Sequence, residues 1–408
     1  MSPIHLFEKF GIELEYMIVN SGAFSVFPAA DLIFKKKTGW ECCFFDAGRI
    51  SWSNELALHV IELKTSRPDS DLATLFEDMG QNVKNINNIL KDENGRLMPT
   101  SCHPFMDPDK ESILWPHEFN DIYLTYDAIF GCKGHGWTNL QSTHINLPFH
   151  GDDEFGNLHA AVRIVLPLLP ALCASSPIIN GKRTEYKDTR MHFYDKNQQK
   201  IPSITGPLIP EAVYTEKDYE RKIFSRIMKD IDPFDKKKIL NKYFLNSRAA
   251  IARFDRGSLE IRIMDIQESP LCDLAVCYMI ILLLKKICAG EFQSISRIKK
   301  WKPERLKNIL VRTIKDGEYA PLIDREYREI WGDGQEIITA GKLWENLYSL
   351  MKEEIPPVYR GPIENILTNG TLATRIVRSV GENSSPDKIK ETYGRLCDTL
   401  NRNTIFTV

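Results

Sequence analysis

The stretch Gly11 to Val19 reads GIELEYMIV, and its side chains alternate in character. Residues two apart in a β-strand share a face of the sheet. Ile12 and Leu14 therefore lie on one face of such a strand, whereas Glu13 and Glu15 lie on the other. The alternation predicts a strand that buries an apolar face in a core and presents two carboxylates on the opposite face.

Two later segments repeat this arrangement with other chemically capable side chains. In the candidate strand 139–149 (NLQSTHINLPF), His144 and Asn146 are two residues apart. In the strand-like part of 248–266, Glu260 and Arg262 have the same spacing. Apolar residues alternate with both pairs. Placed side by side, such strands would form a sheet that carries acids, an imidazole, an amide and a guanidinium on one face.

A fourth candidate strand, Leu56 to Thr65, contributes Glu62. Glu55 lies seven residues before Glu62. An odd separation places the two acids on opposite faces of an unbroken strand. Glu55 therefore joins the same site only if a bulge or a turn separates it from Glu62.

Carboxylates gathered on one face of a sheet repel one another, and divalent cations would remove this repulsion. Oxygen ligands with one histidine suit Mg²⁺ or Mn²⁺, and several ions could bridge the phosphates of a nucleotide. Arg262 would suit a phosphoryl group, because its guanidinium is planar and always charged. The alternative is a solvated sheet face, which is the usual meaning of a single glutamate pair. Repetition over three strands weighs against that alternative.

The remaining pattern predicts mostly helices, and these dominate the end of the chain. One predicted helix spans Ser70 to Leu90, capped by Asp69 or Ser70, and another spans Leu158 to Ser175 with kinks at its prolines. Further helices are expected near 217–230, 235–246, 271–289, 302–315, 340–353 and 386–402. Residues 177–215 are rich in proline, glycine and polar groups, which indicates a long loop region at the site. The predicted strands come first along the chain and most of the predicted helices come last. This order favours an α+β fold over a doubly wound parallel sheet.

We expect a single domain over residues 1–408. Its sheet-bearing catalytic part would span 1–270, and a mainly helical part, 271–408, would pack on it. The sequence has neither a Walker A motif nor a glycine-rich dinucleotide motif, so any nucleotide must be held in another way.

Composition narrows the class of protein. The chain has 408 residues, 43% of them hydrophobic, and its 53 basic and 55 acidic residues give a formal charge of −2. This balance provides no basic field for nucleic acid and no polybasic membrane patch. The nine cysteines include no C-x-x-C pair, which favours reduced thiols and a cytoplasmic protein. We see no signal peptide in residues 1–10, and the most apolar stretch, 274–284, is too short to cross a bilayer.

The motifs, in their order along the chain, resemble the bacterial glutamate–cysteine ligase family 2, also called carboxylate–amine ligases. The similarity spans about residues 11–285. The matching segments are Gly11-Ile12-Glu13-Leu14-Glu15 (G-x-E-x-E), Ile61-Glu62-Leu63-Lys64-Thr65 (the second acidic strand), Cys102-His103-Pro104-Phe105 (H-P-F), His144-Ile145-Asn146-Leu147 (H-x-N), Ala171 to Arg190 (a helix followed by a loop) and Ser258-Leu259-Glu260-Ile261-Arg262 with Asp265 (T-x-E-x-R…D).

The resemblance implies a fold similar to glutamine synthetase, in which a curved antiparallel sheet forms a funnel with helices outside and ATP and metals at its centre. It implies roles for ten side chains of this sequence. Arg262 would stabilise the transferring phosphoryl group, and both Arg262 and Asn146 would contact ATP. Arg190 and Tyr186 would bind substrate. The implied ligands of Mg²⁺ or Mn²⁺ are Glu13, Glu15, Glu62, His144 and Glu260, with Glu55 at the position of an upstream acid.

The implied reaction activates a carboxylate with ATP as an acyl phosphate and joins it to an amine. Glutamate and cysteine are the expected pair, which would place the reaction in glutathione biosynthesis. The sequence departs from the family's D-T-G-Y at residues 183–186 (RTEY), and Pro202 to Pro210 matches no family pattern. Another acid or amine therefore stays open, as do a guanidino phosphotransferase and a non-catalytic ATP-binding relative. The expected partners are small-molecule substrates, and the resemblance leaves a homodimer open.

Overall fold

The computed structural model describes residues 3–332, 334, 336–382 and 384–408. These residues form a mixed fold of helices and antiparallel sheet, as the α+β prediction requires. The strands are β1 Gly11–Asn20, β2 Phe44–Asp46, β3 Ile50–Asn54, β4 Val60–Thr65, β5 Gly95–Met98, β6 Ser142–Pro148, β7 Ile178–Ile179, β8 Lys182–Arg183, β9 Ala250–Arg253 and β10 Ser258–Asp265.

Helices fill most of the rest of the chain. They are α1 Ala30–Thr38, α2 Leu72–Lys91, α3 Pro108–Glu111, α4 Asn120–Phe130, α5 Gly151–Val165, α6 Pro170–Cys173, α7 Thr189–Tyr194, α8 Glu216–Tyr219, α9 Ser225–Ile231, α10 Lys242–Leu245, α11 Pro270–Cys288, α12 Ile295–Ile298, α13 Pro303–Asp316, α14 Arg325–Ile330, α15 Ala340–Met351, α16 Pro357–Asn369, α17 Leu372–Val380 and α18 Pro386–Arg402. Among the described residues, no helix is long and apolar enough to span a membrane.

The first strand lies in the middle of the main sheet. The strand order is β2-β3-β4-β1-β6-β10-β9, and every pairing is antiparallel. The short strand β5 pairs with the second half of β1, whereas β6 pairs with its first half. The four strands that carry the candidate site residues, β4, β1, β6 and β10, are therefore neighbours.

One face of this sheet is sealed by helices. Ile12, Leu14 and Tyr16 of β1 have no exposed surface and belong to one large apolar cluster. That cluster includes residues of α2, α5 and α11, and α11 packs on both of the other helices. Burial of this apolar surface stabilises the sheet and leaves only the opposite face for polar side chains.

The polar face ends where the C-terminal helices cover it. Met17 and Val19 continue the row of Glu13 and Glu15, but both are apolar and fully buried. They form a second apolar cluster with residues of α17 and α18, including Ile376. These helices therefore close the sheet face beyond Glu15 and confine the cluster of acids to one part of it.

Most of the long helices agree with their predicted positions, but the predicted bounds or caps of several elements are wrong. The predicted strand 56–65 begins only at Val60, because residues 55–59 form a turn after β3. The helix 70–90 is capped by Asp71, whose side chain accepts hydrogen bonds from the N–H groups of residues 73 and 74, and not by Asp69 or Ser70. Capping requires a side chain that reaches the free N–H groups of the first turn, and only the residue just before the helix does so here.

Three other elements differ from their predictions, and proline explains the first of these differences. The predicted helix 158–175 starts earlier, at Gly151, and is interrupted by a 3₁₀ turn that contains Pro167 before α6 begins at Pro170. The predicted helix 235–246 is reduced to α10. The single strand expected within 248–266 is the hairpin of β9 and β10.

Candidate active site

Strand register brings the predicted site residues into contiguous rows on the polar face. Glu13 of β1 pairs with His144 of β6 on one side and with Lys64 of β4 on the other. One row further along, Glu15 pairs with Glu62. Directly opposite residues of antiparallel strands share a face and lie close together. The acids predicted from separate segments thus form one cluster.

A β-bulge in β10 shapes the far side of this cluster. The register shifts after Ile261, so that Arg262 and Ile263 together oppose the single residue His144. A bulge bends its strand and redirects a side chain. Beyond the bulge the alternation is reset, which returns Asp265 to the polar face although it lies an odd number of residues after Glu260.

The turn between β3 and β4 brings Glu55 to the site. An unbroken strand would have placed Glu55 on the other face, but residues 55–59 reverse the chain before β4 begins. One carboxylate oxygen from each of Glu15, Glu55 and Glu62 lies within 4.8 Å of the others. From the sequence, a bulge or a turn between Glu55 and Glu62 was required if both were to join one site. The structure has such a turn.

Glu13 is held by two neighbours on β6. Its Oε1 accepts a hydrogen bond of 2.8 Å from Asn146 Nδ2, and its Oε2 lies 3.0 Å from His144 Nδ1. Burial alone would raise the pKa of Glu13, but the hydrogen bond to His144 and the charges of His144 and Lys64 hold this pKa well below its usual range. Glu13 is therefore an ionised carboxylate inside the protein.

His144 faces oxygen atoms at both ring nitrogens. Its Nε2 lies 2.9 Å from Ser142 Oγ, and this hydroxyl donates to Glu15 Oε2 at 2.9 Å. Burial disfavours the imidazolium ion, yet the hydrogen bond to Glu13 and the charges of Glu15 and Glu13 raise the pKa of His144. A proton on this ring compensates part of the negative charge of the acids, and a metal ion bound to the ring would take the place of that proton.

Glu62 is the most crowded acid of the cluster. Its Oε2 accepts hydrogen bonds from Ser53 Oγ and Lys64 Nζ, both at 2.5 Å. Burial and the charge of Glu13 raise the pKa of Glu62. Burial and the charges of Glu62 and Glu15 raise the pKa of Glu55 well above its usual value. Burial and repulsion between the acids both disfavour the ionised carboxylates, and a cation bound here would favour them.

The donor set fits divalent cations. One group of atoms, from Glu13, Glu62 and His144, lies within 4.8 Å of one another, and a second comes from Glu15, Glu55 and Glu62. Glu62 belongs to both groups. Carboxylate oxygens with one imidazole are ligands that suit Mg²⁺ or Mn²⁺. Glu260 lies beside them, with its Oε1 3.8 Å from His144 Nδ1.

Arg262 borders the acids from the bulge. Its Nε lies 3.5 Å from Glu260 Oε1, and a quarter of its side chain is exposed. Burial opposes its charge, but the neighbouring Tyr194 and Glu260 raise the pKa of Arg262 further above its usual value. A guanidinium that stays charged and retains an accessible surface is suited to binding a phosphoryl group.

Arg190 is buried, although most arginine side chains in proteins are exposed. Its side chain is 2% exposed, and its Nε donates to Asp265 Oδ1 at 2.6 Å. Asp265 Oδ2 also accepts from the N–H of Ser175 and the hydroxyl of Ser176, which fixes the carboxylate. Within the described part of the chain, Arg190 Nη2 has no hydrogen-bond partner. A substrate role for Arg190 stays a prediction.

Tyr186 lies in a different environment from the acids. Its ring stacks on His192, with centroids 4.0 Å apart, and its N–H donates to the hydroxyl of Thr184. Its assignment to substrate binding also stays a prediction. His103, in the H-P-F segment, is structural, because its Nε2 bonds to the carbonyl of Phe24 and its Nδ1 accepts from the N–H of Phe105.

Three residues of the site were not predicted from the sequence, namely Lys64, Ser53 and Ser142. Lys64 follows Glu62 by two residues, so the same alternation that identified the acids could have identified it. Ser142 precedes His144 by two residues and carries the same signal. Ser53 lies on β3, which was not predicted. Only its pairing with Glu62 across the strands identifies it as part of the site.

Comparisons with known sequences identify the family of this chain. The family model described as Glutamate-cysteine ligase family 2 matches residues 9–398. An uncharacterized protein of Archaeoglobus fulgidus is 34% identical over 333 residues, which cover 78% of this chain and 87% of the relative. A putative glutamate–cysteine ligase 2 of Ruegeria pomeroyi is 24% identical over 287 residues, covering 70% and 67% of the two chains.

Solved structures share the fold at low sequence identity. Glutamate–cysteine ligase of Francisella tularensis, in complex with AMP, is similar with a TM-score of 0.64 and 13% identity, covering 96% of this chain and 88% of its own. A bifunctional glutathione synthetase of Pasteurella multocida gives a TM-score of 0.56 and 14% identity, and the similarity covers 97% of this chain and 52% of that one. The match of the family model over residues 9–398 shows that the chain belongs to glutamate–cysteine ligase family 2.

Proposed function

We propose that the protein is an ATP-dependent carboxylate–amine ligase that couples the γ-carboxylate of L-glutamate to L-cysteine. The observation that carries this proposal is the cluster of acids with His144 and Arg262 on one sheet face, in a chain of this family. The nucleotide in the Francisella tularensis structure supports ATP as the co-substrate. A non-catalytic relative would not need to keep five buried or half-buried acids together, because their repulsion costs stability.

The cation ligands are proposed in two groups. Glu13, Glu62 and His144 would hold one ion, and Glu15 and Glu55 would hold a second that shares Glu62. We assign Glu260 to the same ions. Bound Mg²⁺ or Mn²⁺ would neutralise the triphosphate. Asn146 contributes by fixing Glu13 through its 2.8 Å hydrogen bond, and by contacting the nucleotide.

The other residues act on the reacting groups. Arg262 stabilises the charge on the γ-phosphoryl group while a substrate carboxylate attacks it, which forms an acyl phosphate and releases ADP. The amine then attacks the acyl carbon, and phosphate leaves. We assign Arg190 and Tyr186 to the binding of substrate, Arg190 through a carboxylate. Catalysis by such a site rests mainly on positioning and on neutralising charge.

Three wider features belong to the same proposal. The antiparallel sheet would curve into a funnel of the glutamine synthetase type, with the acids inside it. Residues 1–408 would act as a single domain, with the helices of 271–408 packed on the catalytic part. The protein would work in the cytoplasm on small-molecule substrates, as a monomer or a homodimer.

The test is ADP release by the purified protein with Mg-ATP, L-glutamate and a panel of amines that includes L-cysteine. We expect release that requires both glutamate and cysteine, with each substrate omitted in turn as a control. Release with glutamate and another amine would keep the ligase chemistry and change the product. Absence of release with every acid and amine, despite tight Mg-ATP binding, would contradict the proposal.

A further inference from the structure

The loop 201–211 is unusual for a loop, because most of it is buried. Ile201, Ile204, Leu208 and Ile209 are each at most 3% exposed. It corresponds to the segment that matches no family pattern. Loops usually run over the surface, since buried backbone groups need hydrogen-bond partners. A buried loop beside a candidate active site therefore calls for a structural partner.

That partner is Arg248, whose side chain is 1% exposed. Its Nε and Nη2 bind both carboxylate oxygens of Glu211 at 2.6 and 2.7 Å. Its Nη1 donates to the carbonyl groups of Ser203 and Ile204 at 3.2 and 3.3 Å, and to Asn246 Oδ1 at 2.9 Å. One side chain thus ties both ends of the loop to the segment that precedes β9.

Gly206 allows this contact. Its φ is +58°, and a Cβ at this position would lie 2.5 Å from Arg248 Nη2. The left-handed conformation and the close approach both favour glycine. The loop is therefore shaped around the guanidinium of Arg248.

The same segment contacts the bulge that carries Arg262. The N–H groups of Ser247 and Ala249 donate to the carbonyl groups of Ile204 and Leu208 at 3.0 and 2.9 Å. On its other edge, the carbonyl of Ala249 accepts a hydrogen bond of 3.1 Å from the N–H of Arg262. Since the bulge breaks the ladder towards β6, this bond on the β9 side fixes the backbone of Arg262.

We propose that Arg248 and Glu211 are positioning residues whose ion pair clamps the loop 201–211 against residues 246–249 and so orients Arg262 towards the acids. The inference rests on the proposed function of Arg262 in phosphoryl transfer. Neither Arg248 nor Glu211 needs to touch ATP or substrate. Their contribution reaches the reaction through the backbone of Ala249 and Arg262.

Glu211→Gln tests the clamp, because it keeps the size of the side chain and removes the charge. We expect turnover to fall by about 10- to 100-fold, as small displacements of catalytic groups do, with Mg-ATP affinity little changed. In an Arg262→Ala background, Glu211→Gln should cause no further loss of turnover. Equal losses in the two backgrounds would overturn the proposal, because the clamp would then act independently of Arg262.

Asp324→Asn is the matched control for a general loss of stability. Asp324 forms a bidentate pair with Arg305 at 2.6 and 2.7 Å in the C-terminal helical part, and asparagine can still cap α14. We expect it to lower the melting temperature without changing turnover. A fall in turnover that follows the melting temperature in both variants would also overturn the proposal.

Hydrogen exchange separates this inference from the proposed function. In Glu211→Gln, peptides that cover residues 261–264 should exchange faster than in the wild type, whereas Asp324→Asn should leave them unchanged. This result is expected even if no pair of substrates releases ADP. Unchanged exchange at 261–264 would refute the clamp. If Glu211→Gln does not fold, Arg248→Lys serves instead, because lysine keeps the charge but cannot form the bidentate pair.

Discussion

At the scale of single residues, Lys64 is the most informative side chain, because it places an ammonium group among carboxylates. Its Nζ contacts Glu62, which belongs to both candidate cation groups. A fixed positive charge beside a cation site repels the incoming ion and also competes with it for Glu62. We therefore expect Lys64 to limit how tightly the cluster binds a divalent cation before the nucleotide arrives.

We predict that Lys64→Met tightens the binding of Mn²⁺ to the nucleotide-free protein by at least about tenfold, from the size of short-range charge interactions near a protein surface. Electron paramagnetic resonance of free Mn²⁺ would measure the affinity. Lys388→Met is the control, since Lys388 lies on α18 and pairs with Glu391. Weaker binding in Lys64→Met would mean that Lys64 organises the acids rather than competing with the ion.

Arg262 carries the second prediction at this scale. Arg262→Ala should lower turnover by about 10³-fold, in line with arginines that stabilise phosphoryl transfer, and should leave the dissociation constant of Mg-ATP nearly unchanged. Titration calorimetry and rapid-quench measurement of ADP would separate the two quantities. Arg262→Lys should recover only part of the rate, because lysine lacks the planar fork. A parallel loss of affinity and turnover would instead assign Arg262 to ground-state binding.

The positions of the site residues could be predicted from the sequence where they follow the alternation of a regular strand. They could not be predicted where contacts between distant parts of the chain determine them. Glu13 and Glu15 share a face of β1 because of the two-residue period alone, and His144 and Asn146 share a face of β6 for the same reason. The environment of Arg190 was out of reach, because its partner Asp265 lies 75 residues away along the chain. No local pattern records that an arginine is buried against such a partner.

At the scale of elements, the start of β1 explains the glycine of the G-x-E-x-E motif. Gly11 pairs with Asn146 across the strands, and a Cβ on Gly11 would lie 3.0 Å from Asn146 Cβ. The glycine thus leaves room for the asparagine that holds Glu13. A larger residue would push Asn146 aside and remove its hydrogen bond to Glu13.

We predict a graded response at this position. Gly11→Val should weaken Mg-ATP binding by about tenfold, the order expected when a residue that orients a metal ligand is displaced. Gly11→Ala should have a much smaller effect, because its single methyl group needs a shift of only a few tenths of an ångström. Calorimetry would give the affinities, and circular dichroism would confirm folding. Equal effects of the two substitutions would show that the close contact with Asn146 is unimportant.

The bulge in β10 marks the limit of strand prediction from sequence. The motif Glu260-Ile261-Arg262 alternates in a regular way, and nothing in it signals that Arg262 and Ile263 together oppose one residue of β6. A bulge is a property of two paired strands, so it becomes visible only when both are placed. The turn at residues 55–59, unlike the bulge, was foreseen from the sequence as a condition. Glu55 could join the site only if such a break separated it from Glu62.

At the scale of the whole molecule, Asp273 links the sheet to its helical layer. It lies in α11 behind the sheet, and its Oδ1 accepts hydrogen bonds from Thr143 Oγ1 at 2.6 Å and from the N–H of Gln267 at 2.9 Å. Burial raises the pKa of Asp273 to about 8. The folded protein therefore keeps a proton that the unfolded chain loses near pH 4.

The stabilising effect of this proton is complete below about pH 4 and is lost as the pH rises through about 8. We predict that the free energy of unfolding of the wild type falls, relative to that of Asp273→Asn, between about pH 5 and pH 8. Asparagine keeps the acceptor for Thr143 but cannot ionise. Denaturant unfolding at several pH values measures the difference, with the exposed Asp398→Asn as control. A pH-independent difference would contradict the raised pKa.

The overall architecture was predictable in outline because it depends on composition and on the regular spacing of apolar residues along each helix and strand. Strands came first and long helices last, and α11, α13, α15 and α18 lie within a few residues of their expected positions. The helices α16 and α17 were missed, as were the short strands β2, β3 and β5. Pro362 within α16 is one reason, since proline normally ends a helix.

The central position of β1 has a consequence for how the protein is synthesised. The ribosome makes this strand first, but the strand carrying Glu260 is complete only some 250 residues later. Until then the acids lack Arg262, and the apolar cluster that contains Ile12 and Leu14 still lacks α11, which is made later still. Contacts between such distant parts of a chain form slowly and leave apolar surface exposed during folding. We therefore expect nascent chains to need protection by chaperones, and divalent cations to bind only after the last strand of the sheet has docked.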